Sequence, residues 1–341
     1  MRKNRLLALL LGLVLLLTAC GGQVQDQGEN PGQEEEKKNE EEVKKIDEDK
    51  KIVVRSLKGP TSMGLIKLID DEKTKEDSSY DMEIVTMADE IVAGLAKKEI
   101  DMAAVPANLA SVLYNKTNNV EVVAINTLGV VYLVENSDQI KDFSDLKGKT
   151  VYATGEGQTP DLIFRHLLEE NKLVLGEDVK VEYKKEPGEV AAILAEKEDS
   201  IGLLPQPFIS AASMKNEKIQ VRIDLNEEWK KANDGKDIVT GVFLVRKDLD
   251  LEDGLLDEFL KSYGQSVDFV KNNPDQAAEL IDKYDIVKKP VALKALDQLN
   301  LVFIEGEEMK EKLSSYLEIL EKTDAKAIGG KLPQEDFYHE K

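Results

Sequence analysis

Short apolar runs alternate with helical patterns from Ile52 to Val245. Ile52-Val53-Val54 reads as a strand, Leu57–Gly64 as a loop and Leu65–Ile69 as a helix start, followed by a polar stretch at 71–79. Met82–Val85 is the next expected strand and Ala88–Lys98 a helix with Ile91, Val92 and Leu95 on one face. Strand 102–105 runs through Pro106-Ala107-Asn108 into helix 109–114, and strand 120–125 runs through Asn126-Thr127-Leu128-Gly129 into the apolar run 130–134. The pattern then restarts: strand 150–153, the loop Thr154–Pro160, helix 161–170, strand 179–183, helix 189–196, strand 201–204, and a helix starting after Pro205-Gln206-Pro207. Strand 221–225 and the apolar run 239–245 follow. Beyond them the chain turns helical: Leu255 to Val270 recur at helical spacing until Asn272-Asn273-Pro274, with further helices at 276–284, 291–299 and 309–320.

The restart is a repeat. Residues 89–111 align without gaps on 188–210, with eight of 23 pairs identical, among them Glu90/Glu189, Leu95/Leu194, Pro106/Pro205 and Ser111/Ser210. The preceding loops align at nearly the same shift through Val53/Val151, Gly59/Gly157 and Thr61/Thr159. Two related α/β lobes are expected, joined by crossings around 126–130 and 237–242 that can serve as a hinge. The expected division is 52–127 with 240–341 for the first lobe and 128–239 for the second.

Composition adds the context. With 46 Lys and Arg against 67 Asp and Glu, the formal charge is −21, which argues against a nucleic-acid partner. The single cysteine, Cys20, rules out an intramolecular disulfide and a cysteine zinc cage. Arg2, Lys3 and Arg5 precede the apolar run Leu6–Leu17, shorter than the roughly 20 residues of a bilayer-spanning helix. Residues 1–19 read as a signal peptide that ends at Leu17-Thr18-Ala19-Cys20, and this motif resembles the bacterial lipobox, whose cysteine is lipidated. Residues 20–51 carry Glu34-Glu35-Glu36 and Glu40-Glu41-Glu42 among lysines and too few apolar residues to fold, so a solvated tether is expected.

The chemistry of an enzyme is hard to assemble from the residues present. His166 falls on an expected helix surface and His339 near the end, with no His pair at metal spacing, no Gly-x-Ser-x-Gly elbow, no dinucleotide fingerprint and no phosphate loop. Trp229 reads as a packing residue. No catalytic residue, metal or cofactor is expected. Four strand-end loops and a crossing offer instead small neutral groups to a solute. They are Gly59, Pro60, Thr61, Ser62 and Met63, then Asn108, then Gly155, Glu156, Gly157, Gln158 and Thr159, then Gln206, with Asn126 and Thr127 at the crossing. Helix capping accounts for each Ser, Thr or Asn equally well.

The lipobox, the acidic tether, Lys58–Gly64, Val105–Asn108, Asn126–Gly129, Asp145-Leu146-Lys147-Gly148-Lys149 and Leu204–Pro207 together resemble the substrate-binding lipoproteins of ABC importers. They are most similar to the class that serves nitrate, taurine, aliphatic sulfonates and thiamine precursors. The resemblance implies the periplasmic-binding-protein type II fold: two α/β lobes, two crossing strands, and a helical C-terminal part on the first lobe. It implies a monomer, lipid-anchored on the extracytoplasmic face of the cell membrane, that passes a small solute to a permease and its ATPase. No Arg or His stands in the candidate loops to clamp an anion. Glu156 and Glu189 suit an amino group, and Phe208 or Tyr132 a ring. The alternatives are an enzyme of thiamine-precursor or chorismate-derived metabolism on the same scaffold, or a sensory or adhesin lipoprotein.

Overall fold

The structure, a computed structural model, describes residues 51–249, 251 and 254–340. The expected signal peptide, Cys20 and the tether up to residue 50 lie outside the described residues.

Two mixed sheets carry the fold. The first is built from β1 (Ile52–Leu57), β2 (Tyr80–Val85), β3 (Met102–Pro106), β4 (Val120–Leu128), β10 (Val239–Arg246) and β11 (Leu301–Ile304), in the order β11-β4-β10-β3-β1-β2. The second is built from β5 (Val131–Glu135), β6 (Thr150–Thr154), β7 (Lys180–Lys184), β8 (Ile201–Pro205) and β9 (Gln220–Asp224), in the order β7-β6-β8-β5-β9. β3, β8 and β10 are nearly free of polar side chains because helices cover both of their faces.

The helices of the first half are α1 (Pro60–Met63), α2 (Ile66–Thr74), α3 (Ala88–Ala96) and α4 (Ala107–Thr117). Those of the second are α5 (Thr159–Glu170), α6 (Pro187–Glu196), α7 (Phe208–Lys215) and α8 (Leu225–Ala232). Pro60, Pro160 and Pro187 each occupy a helix's first turn, where proline loses no hydrogen bond. α9 (Leu255–Asn272), α10 (Pro274–Lys283), α11 (Lys289–Ala295) and α12 (Gly306–Asp324) form the helical C-terminal part.

The duplication is visible in the topology. β1, β2, β3 and β4 correspond to β6, β7, β8 and β9, and each sheet takes in a crossing strand from the other half. β10 lies antiparallel between β3 and β4, and β5 lies antiparallel between β8 and β9.

Three differences from the sequence expectation have physical causes. α2 runs on to Thr74, because the polar residues from Asp70 form its outer face while Leu68 and Ile69 are buried. β4 extends through Asn126 and Thr127 instead of forming a loop: Thr127 pairs with β10 and β11, and Asn126 sits at a register shift beside it. β11, four residues long, was not anticipated; only its pairing with β4 makes it a strand.

The C-terminal part packs on the first lobe and also reaches the second. α9 and α10 cover α2, while α11 meets α7 and α12 meets α5. One buried core therefore runs from Ile91 and Leu113 in the first lobe through Met309, Leu313 and Tyr316 on α12 to Phe164, Leu167 and Trp229 in the second. A second core, with Met63, Phe243, Phe259 and Tyr263, fills the other face of the first sheet. Asp101, just before β3, and Arg246, the last residue of β10, form a buried ion pair at 2.8 Å. No described helix is long and apolar enough to cross a membrane.

Candidate functional site

Strand register decides where the candidate loops open. Pro106, the last residue of β3, is opposite Gly241 near the start of β10, and Leu128, the last of β4, is opposite Val239. In the second sheet Pro205, the last residue of β8, is opposite Val131, the first of β5. The carboxyl ends of the parallel strands of both sheets therefore abut the same crossings, the position at which open α/β sheets take ligands.

The first-lobe loop is closed on itself. Gly59 has φ 135°, a value that favours glycine, and precedes the four-residue α1. The Ser62 hydroxyl donates to the Gly59 carbonyl at 2.9 Å and accepts from its N–H at 3.3 Å. The Thr61 hydroxyl donates to the Leu57 carbonyl at 2.8 Å, Pro60 is half-buried, and Met63 belongs to the core. Beside them lies Gly241, where a Cβ would stand 2.4 Å from Asn126 Oδ1 and 2.6 Å from Thr61 Cγ2. Thr61, Asn126 and Thr127 thus meet at one point of the crossing strand. Asn126 is 1% exposed; its Oδ1 accepts from the Thr127 hydroxyl at 2.9 Å, and its Nδ2 has no hydrogen-bond partner among the described residues. Asn108 is half-buried and turned to the C-terminal part, with Nδ2 donating to the Ala327 carbonyl at 3.3 Å.

The second-lobe loop is open and held by a carboxylate. Gly155 and Gly157 take φ of 69° and 71°, and Glu156, Gly157 and Gln158 are exposed, with Thr159 half-buried. Asp161, 1% exposed, accepts from the Gly157 N–H at 2.8 Å, from Arg165 Nε at 2.8 Å and from the Tyr183 hydroxyl at 2.6 Å. Burial and the Asp161 hydrogen bond push the Tyr183 hydroxyl up to about 12. Sequence reading missed Asp161, Arg165 and Tyr183. The signal was the four-residue spacing from Asp161 to Arg165, which puts the pair on one face of α5, and an acid in the first turn of a helix that follows a Gly-rich loop. Arg165 stands one turn from the loop, but its guanidinium is engaged by Asp161 and Tyr183.

Gln206, 1% exposed, is engaged as well. Its Oε1 accepts from the Ser210 hydroxyl at 2.9 Å and its Nε2 donates to Gln298 Oε1. Tyr132 is 3% exposed and donates to the Gln298 carbonyl at 2.8 Å, so its ring is not free to stack. Phe208, 40% exposed, and Met87, 61% exposed, are apolar groups beside strand ends on opposite lobes. Glu156 and Glu189 are exposed. Lys58 stands 3.5 Å from Asp285. His166 is held by Asn233 at 3.1 Å and lies 4.8 Å from the fully buried Trp229.

A cavity borders the first crossing and another lies at the far edge of the first sheet. The first, of about 380 Å³, is lined by Leu128, Val270, Lys271, Leu296 and Asn300. The second, of about 650 Å³, is lined by Asp257, Phe303 and His339. Among the described residues no group of three or more His, Cys, Asp or Glu is placed to hold a metal.

Two duplicated α/β lobes, two crossing strands and strand-end loops that open on the crossings define the fold of the ABC importers' periplasmic substrate-binding proteins. Solved structures agree on the fold. An ABC transporter protein of Parabacteroides distasonis is similar at 22% identity over 86% of this chain and 100% of its own, with a TM-score of 0.74. The periplasmic aliphatic sulphonate binding protein SsuA of Escherichia coli matches at 16% identity over 86% and 94%, TM-score 0.65. The alkanesulfonate-binding protein SsuA of Xanthomonas axonopodis pv. citri, bound to MOPS, matches at 12% over 87% and 100%, TM-score 0.64. No curated protein sequence matches this chain. A family model described as menaquinone biosynthesis matches residues 80–320, more than half of the chain, and the chain belongs to that family.

Proposed function

We propose that the chain is a lipid-anchored extracytoplasmic receptor that takes a small organic solute between its lobes and delivers it to an ABC permease. The observation that carries this reading is the register: in both lobes the carboxyl ends of the parallel strands open on the same crossings. The Cys20 motif and the acidic stretch after it supply the anchor and the tether. The expected ligand groups are the 59–63 loop, Asn108, Asn126, Thr127, the 155–159 loop and Gln206, with the lobes divided at 127/128 and 239/240. Most of these side chains are neutral, and the cationic group nearest the second loop is already neutralised by Asp161. A ligand oriented by hydrogen bonds fits these groups better than one clamped as an anion. Differential affinity for the two lobe arrangements drives closure.

Family membership favours a second reading, an enzyme that acts on a menaquinone precursor in the same cleft. One experiment separates the two. The full chain is incubated with a panel of chorismate-derived aromatic acids and of sulfonates, with binding read by calorimetry and products by mass spectrometry. The receptor reading expects a bound compound recovered unchanged. A product formed with turnover overturns it in favour of the enzyme.

A further inference from the structure

The C-terminal part grips both crossings, once through α12 and once through the turn that leads into β11. The Asp237 carboxylate, in a residue 6% exposed, lies between α8 and β10 in the chain. Its Oδ2 meets Lys312 Nζ on α12 at 2.9 Å, and its Oδ1 meets Asn226 Nδ2 and Lys230 Nζ on α8, each at 3.2 Å. Burial works to raise the pKa of this carboxyl; hydrogen bonds from Lys312, Asn226 and Lys230 outweigh it and hold the group below its ordinary value. Asn226 Oδ1 also takes the Ile238 N–H at 2.8 Å, which ties the second crossing to α8. The first crossing lies against the same residue: a Cβ on Gly129 would stand 2.6 Å from Asn226 Cβ.

The second grip is the turn that leads into β11. Asn300 Nδ2 donates to the Gly129 carbonyl, and the Leu128 N–H donates to the Asn300 carbonyl at 3.1 Å. Gln298 takes Tyr132 on its carbonyl and Gln206 on its side chain, both from the second lobe. The Gln206 N–H in turn donates to the Val130 carbonyl at 3.0 Å. A hinge needs a few residues that are free to change φ and ψ. Here the N–H groups of Leu128 and Ile238 and the carbonyls of Gly129 and Val130 are engaged. Rotation of one lobe must break several of these bonds together, because they span the same two crossings and several end on buried groups, among them Asp237, Tyr132 and Gln206.

We propose that the C-terminal part is an interlobe clamp, which fixes the lobes in one orientation until the Gln298 and Lys312 contacts release together. The clamp stands whether the cleft serves transport or catalysis. Its test uses the full chain in a Cys20→Ser background, labelled at Glu99→Cys and Glu198→Cys, which are exposed, equivalent turns of the two halves. Single-molecule energy transfer should show one narrow population without any added solute. Gln298→Ala with Lys312→Gln, at an exposed and a half-buried position, should add a second population at a different distance. Two populations in the parent chain, or one unchanged population in the double variant, overturns the proposal.

Should the double variant fail to fold, hydrogen exchange on the parent chain decides. The amides of Leu128, Gln206 and Ile238 should exchange as slowly as those in the middle of β4. Exchange about tenfold faster or more, the signature of independent local opening, overturns the proposal.

Discussion

The two strand-end loops occupy equivalent positions in their sheets and have opposite construction. In the first lobe, Thr61, Ser62 and Met63 are buried, the hydroxyls cap their own turn, and the crossing strand presses on them at Gly241. In the second, Glu156 to Gln158 are exposed and a single buried carboxylate, Asp161, shapes the loop from behind. The C-terminal helices explain the difference. They pack over α2 in the first lobe through α9 and α10, whereas in the second lobe α5 meets α8 and only α12 of the C-terminal helices. One loop is shaped by space, the other by backbone conformation and one carboxylate, and substitutions should separate these causes.

The largest effect belongs to Asp161. Asp161→Ala leaves Arg165, the Tyr183 hydroxyl and the Gly157 N–H without their acceptor, and denaturant unfolding should show a loss of about 3 kcal/mol. Asp161→Asn should recover part of it. Gly241→Ala should cost about 2 kcal/mol by overpacking against Asn126 and Thr61, with the change reported by the Asn126 side-chain amide in NMR spectra. Gly157 has no atom within 4 Å of its missing Cβ, so only its φ of 71° matters. Gly157→Ala should therefore cost about 1 kcal/mol, and Gly157→Asn distinctly less, since asparagine tolerates that conformation. If Gly157→Asn is as costly as Gly157→Ala, the second loop is limited by space after all.

The smallest effect is at the far edge of the first lobe. The Glu121 hydrogen bond raises the His339 pKa above 6.5, against an opposing effect of burial. A pKa raised in the folded state gives stability that is full below the unfolded value and is lost as pH rises through the folded value. Melting temperature should therefore fall slightly as pH increases from about 6.5 upward. His339→Gln should remove this slope, and an unchanged slope assigns it to another group.

Much of the fold was legible because local patterns carried it. Alternating apolar runs and turn residues marked the two lobes, and the pairing of Pro106 with Pro205 marked equivalent strand ends. What escaped was set by distant partners. β11 is a strand only because β4 lies beside it. Gln206 meets Gln298 from 92 positions away, and Asn108 meets Ala327 from 219. No local spacing announces such pairs, so the side chains read as facing a solute include several that the C-terminal part engages. Asp161 was within reach of sequence reasoning, since its spacing from Gly157 is local.

The central claim, a cleft at the crossings that takes a small solute, is tested most directly by native mass spectrometry. The full chain is exposed to a small-molecule extract of its producing cells and compared with Asn126→Leu. The account predicts one small adduct per parent chain, released on unfolding and absent from the variant. No adduct on the parent chain, or the same adduct on both, would contradict it.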